Sequence, residues 1–508
     1  MLTGDMLRRS AERFPSKTAL IWQDVRMTYR EVDAQANQLA HGLRAIGLAK
    51  GAKVGIVSRN RPEYVTAFFG TSRSGCVLVN VSVLYSAEEL HYVLDKADVE
   101  VLLYEDAFAE RVELVVPRLE RLRHTFRIGS TSDGSAPYSQ LPSGQPATPP
   151  DVAIGEDDAF CMTYTGGTTG RPKGVLASHR ARAVTAHTVV VESRLDENDV
   201  AAIVTPLFHV AALNILLQPA VLVGATVVLF SKWDIRQFAH ACRQHGITAA
   251  FMVPTQVGVV VSDPAFEAAD YASWAKLNFS GAPMPDPVLR TMLEKLPQVR
   301  LTQFYGQSEM GIVAVLKHQD LPAKLGSVGR QAYNADIAVL DREGHPVAAG
   351  QVGEICARGE NVMLEYYREP EQTRAFWAHG WAWSGDLATV DAEGFLTLVD
   401  RSKDMIISGG ENIYPKEIEN VLYEHEAVAE CAVFGTPDPV WGELPAAHVQ
   451  LRPGCSTTEA ELIDYCAQRL ARFKRPRFIK LVDDFPKTAI GKIQKNILRA
   501  QYGPAATR

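Results

Sequence analysis

The chain has 508 residues, with 52 Lys and Arg against 59 Asp and Glu, a net charge of −7, and 46% hydrophobic residues. This is ordinary globular composition with room for roughly two to four domains of about 100–200 residues each. It argues against nucleic acid or an anionic membrane as a bulk partner. The seven cysteines are scattered, with no CxxC or Cys/His cluster, which argues against a metal-thiolate or disulfide framework and fits a reducing cytoplasm.

The N-terminus mixes acids and bases and lacks the apolar run of a secretory signal. Residues 1–128 alternate helical and strand patterns: LRRSAERFP and YREVDAQANQLAHGLRAIG have helical spacing, and KVGIVS reads as a buried strand. The stretch 129–155 is rich in Ser, Pro and Gly and is expected to be a linker between subdomains. From Asp157 to Tyr305 short apolar strands (AFCMTYT, ATVVLF, TAAFMVP, KLNFSG, RLTQFYG) alternate with helical segments, the pattern of a mostly parallel α/β sheet. Within it, residues 209–230 are long and apolar enough to raise a membrane span. Asn214, Gln218, Pro219 and Gly224 interrupt them, so a buried helix followed by a buried strand is expected and no transmembrane segment is. Beyond Gly326 the texture turns antiparallel, with DLATVDAEGFLTLVDR as a hairpin turning at Glu393-Gly394. The last hundred residues read as a small α+β unit: a helix opening at Pro415, strands in AECAVFGTPD, PAAHVQLRPG and RFIKLVDDF, a helix over 458–473, and a basic helix in KIQKNILRAQYG. The expected division is a large domain over 1–402 and a small one over 403–508, with no internal repeat.

Directly after the strand AFCM comes YTGGTTGRPKGV, residues 164–175. Its glycines let backbone N–H groups turn inward toward an anion, and its threonines and Lys173 add donors and charge. A polyphosphate is the natural guest; a plain surface turn is the alternative. The order of residues is not that of a Walker loop, because Pro172 precedes Lys173 and Gly174 follows it.

This segment resembles the signature loop of the adenylate-forming superfamily, which comprises acyl-CoA synthetases, firefly-type luciferases and the adenylation domains of peptide synthetases. Six further motifs of that superfamily occur in order: TPLFHV (205–210), SGAPMP (280–285), QFYGQSEM (303–310), WSGDL (383–387), VDRSKDMIISGGENIYPKEIE (399–419) and PKTAIGK (486–492). The resemblance spans nearly the whole chain. It implies a large α/β N-terminal domain with parallel-rich sheets and a small antiparallel subdomain, followed by a small mobile α+β domain.

It also implies a reaction in two halves. A carboxylate attacks the α-phosphorus of ATP to give an acyl-adenylate and pyrophosphate; a thiol then displaces AMP. By the resemblance, Thr165, Gly166, Gly167, Thr168, Thr169, Gly170 and Lys173 hold the phosphates. Tyr305 stacks on the adenine, Gly281, Ala282 and Pro283 line its other edge, and Gln303, Phe304 and Gly306 belong to the ATP site. Ser308, where the family more often has Thr, contributes a hydroxyl, and Glu309 holds Mg²⁺. Asp386 grips the ribose diol with Arg401 beside it, and Lys492 bridges carboxylate and α-phosphate. Read alone, Gly385-Asp386 is a turn dipeptide, Tyr305 a core residue and Lys492 one of several solvated lysines.

The hinge position of the family falls on Lys403. The tunnel for the thiol arm of CoA falls on Ser408, Gly409, Gly410 and Trp441, and Phe473, Lys474 and Arg475 match the CoA nucleotide site. His209, Val210, Ala211, Gly281 and Gly306 match the acyl pocket. Val210 to Leu213 are small and apolar, which suits a fatty or other hydrophobic acid. The aspartate that amino-acid-activating relatives carry after PLFHVAALN is missing. The expected activity is an ATP-dependent acid–CoA ligase in the cytoplasm, with ATP, CoA and a small carboxylic acid as partners, no nucleic acid, and a homodimer as one assembly state. The alternatives are an enzyme loading a carrier-protein thiol, a luciferase-type oxygenase and a non-catalytic relative.

Overall fold

The computed structural model describes the whole chain except residues 132–134, 166–170, 283, 322, 403, 410, 488–492 and 503–508. The chain forms two compact units. One comprises Met1–Thr165, Pro172–Ile337 and Ala357–Ala382; the other comprises Gly166–Arg171, Ala338–Cys356 and Trp383–Arg508.

The first unit is built on two sheets. Its strands are β1 (Thr18–Trp22), β2 (Val25–Thr28), β3 (Lys53–Val57), β4 (Val77–Asn80), β5 (Val99–Glu105), β6 (His124–Ile128), β7 (Ala159–Thr165), β8 (Lys173–Ser178), β9 (Val200–Ile203), β10 (Thr226–Leu229), β11 (Ala249–Met252), β12 (Lys276–Phe279), β13 (Arg300–Gln307), β14 (Gly311–Lys317) and β15 (Ser327–Gln331). One sheet runs β15-β14-β13-β12-β11-β9-β10-β1-β2, and the other runs from the short strand Glu365–Tyr366 through β8-β7-β4-β3-β5-β6. The interiors of both are parallel, as the buried Val/Ile/Ala runs predict. Antiparallel pairs stand where the chain turns directly back, at β7/β8 and β13/β14.

Helices cross between parallel neighbours and are capped by their own sequence. Helix Tyr29–Ala45 opens at Thr28, whose hydroxyl accepts from the Glu31 N–H while Glu31 accepts from the Thr28 N–H. Its buried face, including Val32, Ala36, Leu39 and Leu43, joins the core with Phe68, Phe69 and Phe160. Phe68 meets the other two rings edge to face. The Ser/Pro/Gly-rich stretch 129–155 carries little regular structure, yet Tyr138 and Leu141 are buried in the same core.

The segment 209–230 forms a helix over Val210–Ala212, a π-helical turn over Leu213–Leu217 and a helix over Gln218–Val223, then β10. Gly224, in the left-handed region at φ 87°, closes the last of these. Among the described residues no helix is long and apolar enough to cross a membrane.

The hairpin of Trp381–Val390 with Leu396–Arg401, which from Trp383 onward belongs to the second unit, turns at Asp391–Gly394. There the Asp391 carboxylate accepts from the Glu393 and Phe395 N–H groups. A further sheet runs Glu411–Ile413, Ile406–Ser408, Gly442–Leu451, Val428–Asp438, with Phe478–Leu481 parallel to Gly442–Leu451. Helices Pro415–Tyr423 and Glu459–Ala467 pack Ile418, Leu422, Leu462 and Cys466 on it. The helix expected over 458–473 ends at Ala467. Ala471 is extended at ψ 148°, and Arg472–Lys474 form a separate 3-10 turn ahead of Pro476. The basic C-terminal helix spans Lys495–Ala500.

Candidate active site

In the first unit the motifs gather at strand ends for a topological reason. Strands β9, β11, β12 and β13 are parallel and in register: Ile203 pairs Phe251, Met252 pairs Phe279, and Phe279 pairs Gln303. Their C-terminal ends therefore present residues 205–210, Val253, Gly281-Ala282 and Tyr305-Gly306 along one edge. Carboxyl edges of parallel sheets are where α/β proteins bind ligands. Gly281 sits at φ 90°, and a Cβ there would touch Val253 Cγ1 at 3.6 Å, so glycine is needed for its backbone angle rather than for space. The Asn278 amide donates to the Ile215 carbonyl at 3.5 Å, tying the π-helical turn after His209–Ala211 to β12. His209 is partly buried with its ring 4.5 Å from that of Phe208.

Gly306 has a different constraint. The β13/β14 register shifts between Tyr305 and Gly306, and a Cβ on Gly306 would lie 1.9 Å from the Gly311 carbonyl oxygen. The bulge swings the following turn, which carries Ser308 and Glu309, away from the ladder. Glu309 is half-buried there, its carbonyl accepting from Met363 N–H at 2.7 Å and its carboxylate from the Tyr366 hydroxyl at 2.9 Å. On β13 itself Gln303 and Tyr305 are nearly enclosed, and Phe304 is fully inside the apolar core.

The glycine- and threonine-rich loop joins two antiparallel neighbours. Thr165 pairs with Lys173 as the last rung of β7/β8, and Tyr164 pairs with Gly174, where any Cβ would press on the Tyr164 ring. The Lys173 ammonium lies 5.0 Å from the Tyr366 ring centroid. Gly166, Gly167, Thr168, Thr169 and Gly170 lie outside the described residues, as does Pro283.

In the second unit Asp386 and Arg401 face each other across the hairpin, with Arg401 Nη1 at 2.9 Å from Asp386 Oδ1. Asp386 is buried and its N–H donates to the Ser384 hydroxyl at 3.0 Å. Gly385, at φ 71°, donates to the Glu354 carboxylate at 2.7 Å. Burial raises the Glu354 carboxyl above its usual range, and the Gly385 N–H partly offsets this. Ser408 pairs with Gly442. Gly409, at φ 59°, donates to the Trp441 carbonyl at 2.8 Å, and a Cβ on it would lie 2.6 Å from the indole. Trp441 is exposed on a turn that the Asp438 carboxylate holds through the Val440 and Trp441 N–H groups. Phe473 is exposed beside Lys474, which also pairs with Glu417 at 2.8 Å, and Arg475 donates to the Leu470 carbonyl. Lys403, Gly410 and Lys492 lie outside the described residues.

Two participants in these clusters escape the sequence, Tyr366 and Glu354. Each meets its partner through a hydrogen bond that is long-range in the chain, and local spacing carries no signal of either.

Residues 7–367 match the AMP-binding enzyme family, and residues 417–492 match its C-terminal domain. A feruloyl-CoA synthase of an Amycolatopsis species is 36% identical over 497 residues, covering 97% of this chain and 98% of that protein. The long-chain-fatty-acid–CoA ligase FadD13 of Mycobacterium tuberculosis is 33% identical over 508 residues, covering 98% of each. Among solved structures, the anthranilate CoA ligase AuaEII in complex with anthranoyl-AMP agrees at a TM-score of 0.90 and 29% identity, over 100% of this chain and 98% of that one. The chain belongs to the AMP-binding enzyme family and is an AMP-forming acyl-CoA synthetase, which joins a carboxylic acid to CoA with ATP through an acyl-adenylate.

Proposed function

We propose that the acid is a hydrophobic one, fatty or aromatic. The observation that carries this is the strand-end edge, where a Cβ on Gly281 would meet Val253 and where the Asn278 amide ties the apolar segment 210–217 to β12 through the Ile215 carbonyl. Small apolar side chains there favour an uncharged acyl group, because burying a charge without a partner is costly. Relatives named for feruloyl-CoA and for long-chain fatty acids are consistent with it.

In this reading the phosphates lie against the 165–173 loop with Lys173, Tyr305 stacks on the adenine, and Asp386 accepts both ribose hydroxyls. Lys492 neutralises the approach of carboxylate to α-phosphate, where fixed positive charge lowers the barrier most. A Mg²⁺ ion fits the donor set as a nucleotide-borne ion. Among the described residues no three His, Cys, Asp or Glu groups cluster, so there is no all-protein cage, and a single carboxylate, Glu309, completing a shell of phosphate oxygens is the usual Mg²⁺ arrangement. When bound, the ion withdraws charge from the phosphates. Glu309 orients it. The segment beyond Lys403 presents Lys492 for the first half-reaction and the Ser408–Gly410 loop, with Trp441, for the second. All seven cysteines are free, in keeping with a cytoplasmic setting.

The test is AMP and pyrophosphate release with Mg-ATP over acids from acetate to palmitate, with benzoate and coumarate, each with and without CoA. CoA-dependent AMP release confined to hydrophobic acids is the expected result. A preference for acetate or a dicarboxylate would overturn the substrate class.

A further inference from the structure

We propose that Tyr366 is a positioning residue for the Glu309 carboxylate. This rests on the reading of Glu309 as the magnesium-holding group. Glu309 sits on a short turn, half-exposed, with three side-chain torsions to fix. The Tyr366 hydroxyl donates to its Oε1 at 2.9 Å, which fixes the plane in which the carboxylate lies. Hydrogen bonds of this kind to a metal-binding carboxylate set its orientation and basicity.

Tyr366 is itself over-determined. Its strand pairs with β8 at Val175, and the flanking Leu364 and Tyr367 N–H groups donate to Leu176 and Gly174 carbonyls, each at 2.8 Å. Its own N–H donates to the Thr373 hydroxyl at 3.0 Å, and its ring meets Phe376 edge to face. The same ring lies under the Lys173 ammonium. Glu309 is tied to this segment a second time, through the Met363 N–H. The segment 363–367 is thus a brace between β8, which carries the phosphate-loop lysine, and the turn that carries the carboxylate. One tyrosine couples the two through opposite ends, ring to cation and hydroxyl to anion.

A purely packing role would need only the ring. Tyr366→Phe keeps the ring, its Phe376 contact and the Lys173 stack, and removes the hydroxyl alone. The experiment is calorimetric binding of a non-hydrolysable ATP analogue to the full chain, in Mg²⁺ and in EDTA, for wild type, Tyr366→Phe and Glu309→Gln. The expected result for Tyr366→Phe is analogue binding about tenfold weaker in Mg²⁺ and unchanged in EDTA. Equal weakening in both conditions, or none, overturns the positioning role. If Glu309→Gln weakens binding selectively in Mg²⁺ while Tyr366→Phe does not, the Tyr366 proposal alone fails. If Glu309→Gln shows no Mg²⁺-selective loss, the reading of Glu309 fails and takes the Tyr366 role with it.

Discussion

Two side chains state the division of labour at the scale of single residues. Asp386 is buried and pairs with Arg401, whose side chain is 46% exposed. An ion pair with so exposed a partner contributes little to stability, and the proposed function gives the carboxylate the role of holding the ribose. Asp386→Ala is expected to raise the KM for ATP at least tenfold, since each hydrogen bond to a charged acceptor is worth about 1.5–3 kcal/mol. The melting temperature should move by only about 2–4 °C. A collapse of folding with no change in KM among surviving molecules would show a structural carboxylate instead. Lys492→Ala is expected to abolish pyrophosphate release yet leave thioester formation from supplied acyl-adenylate largely intact, because the proposed function uses the lysine only in the phosphate-displacing half. Single-turnover assays of each half decide it, and equal loss in both would contradict the two-face account. The motif residues were legible in the sequence because each sits within a few positions of its motif partners. Tyr366 and Glu354 were not, because their partners are 57 and 31 positions away and meet them only in the folded chain.

Glycines do the deciding at the scale of elements. Gly306 permits the β13/β14 bulge by leaving space that the Gly311 carbonyl occupies, and Gly409 accepts both a left-handed backbone and an indole lying on it. Gly409→Leu therefore strains its own backbone by about 1–2 kcal/mol and must displace Trp441. Thioester formation is expected to fall by an order of magnitude or more, with adenylation little changed, as read by CoA-dependent AMP release against pyrophosphate release. Normal overall turnover in that variant would remove the loop from the path of CoA. The strands and helices of the sequence reading are largely those observed, because their periodicity is local. The π-helical turn at Leu213–Leu217 was not foreseeable, since the chain there reads simply as apolar helix. Nor was the break after Ala467, where an extended Ala471 ends a helical pattern that the sequence continues.

A buried histidine ties stability to pH at the scale of the molecule. His179 is 1% exposed, stacks on Phe160 and accepts the Thr3 N–H at its Nδ1. Burial lowers it to about 4, against the opposing pull of the Asp158 and Asp5 charges. The folded chain keeps this ring neutral while the unfolded chain protonates it near 6.5. Its contribution is complete above about pH 6.5 and is lost progressively as pH falls toward 4, by roughly 3 kcal/mol in full. The melting temperature is expected to fall over that window, and His179→Asn, which keeps an acceptor but cannot titrate, should flatten the fall. Parallel pH curves for the two proteins would show that other groups set the acid limit.

The sequence by itself determined the family, the α/β class, the order of the motifs and the chemistry each could perform. These depend on residue type and local spacing, which survive in a linear string. Only the tertiary structure decided that the strand ends beside Val253, Gly281 and Gly306 form one edge, that Lys173 and Glu309 share a tyrosine, and that Trp441 covers Gly409. Those relations join residues tens to hundreds of positions apart through hydrogen-bonded register and packing, and neither is encoded in any short window of the chain.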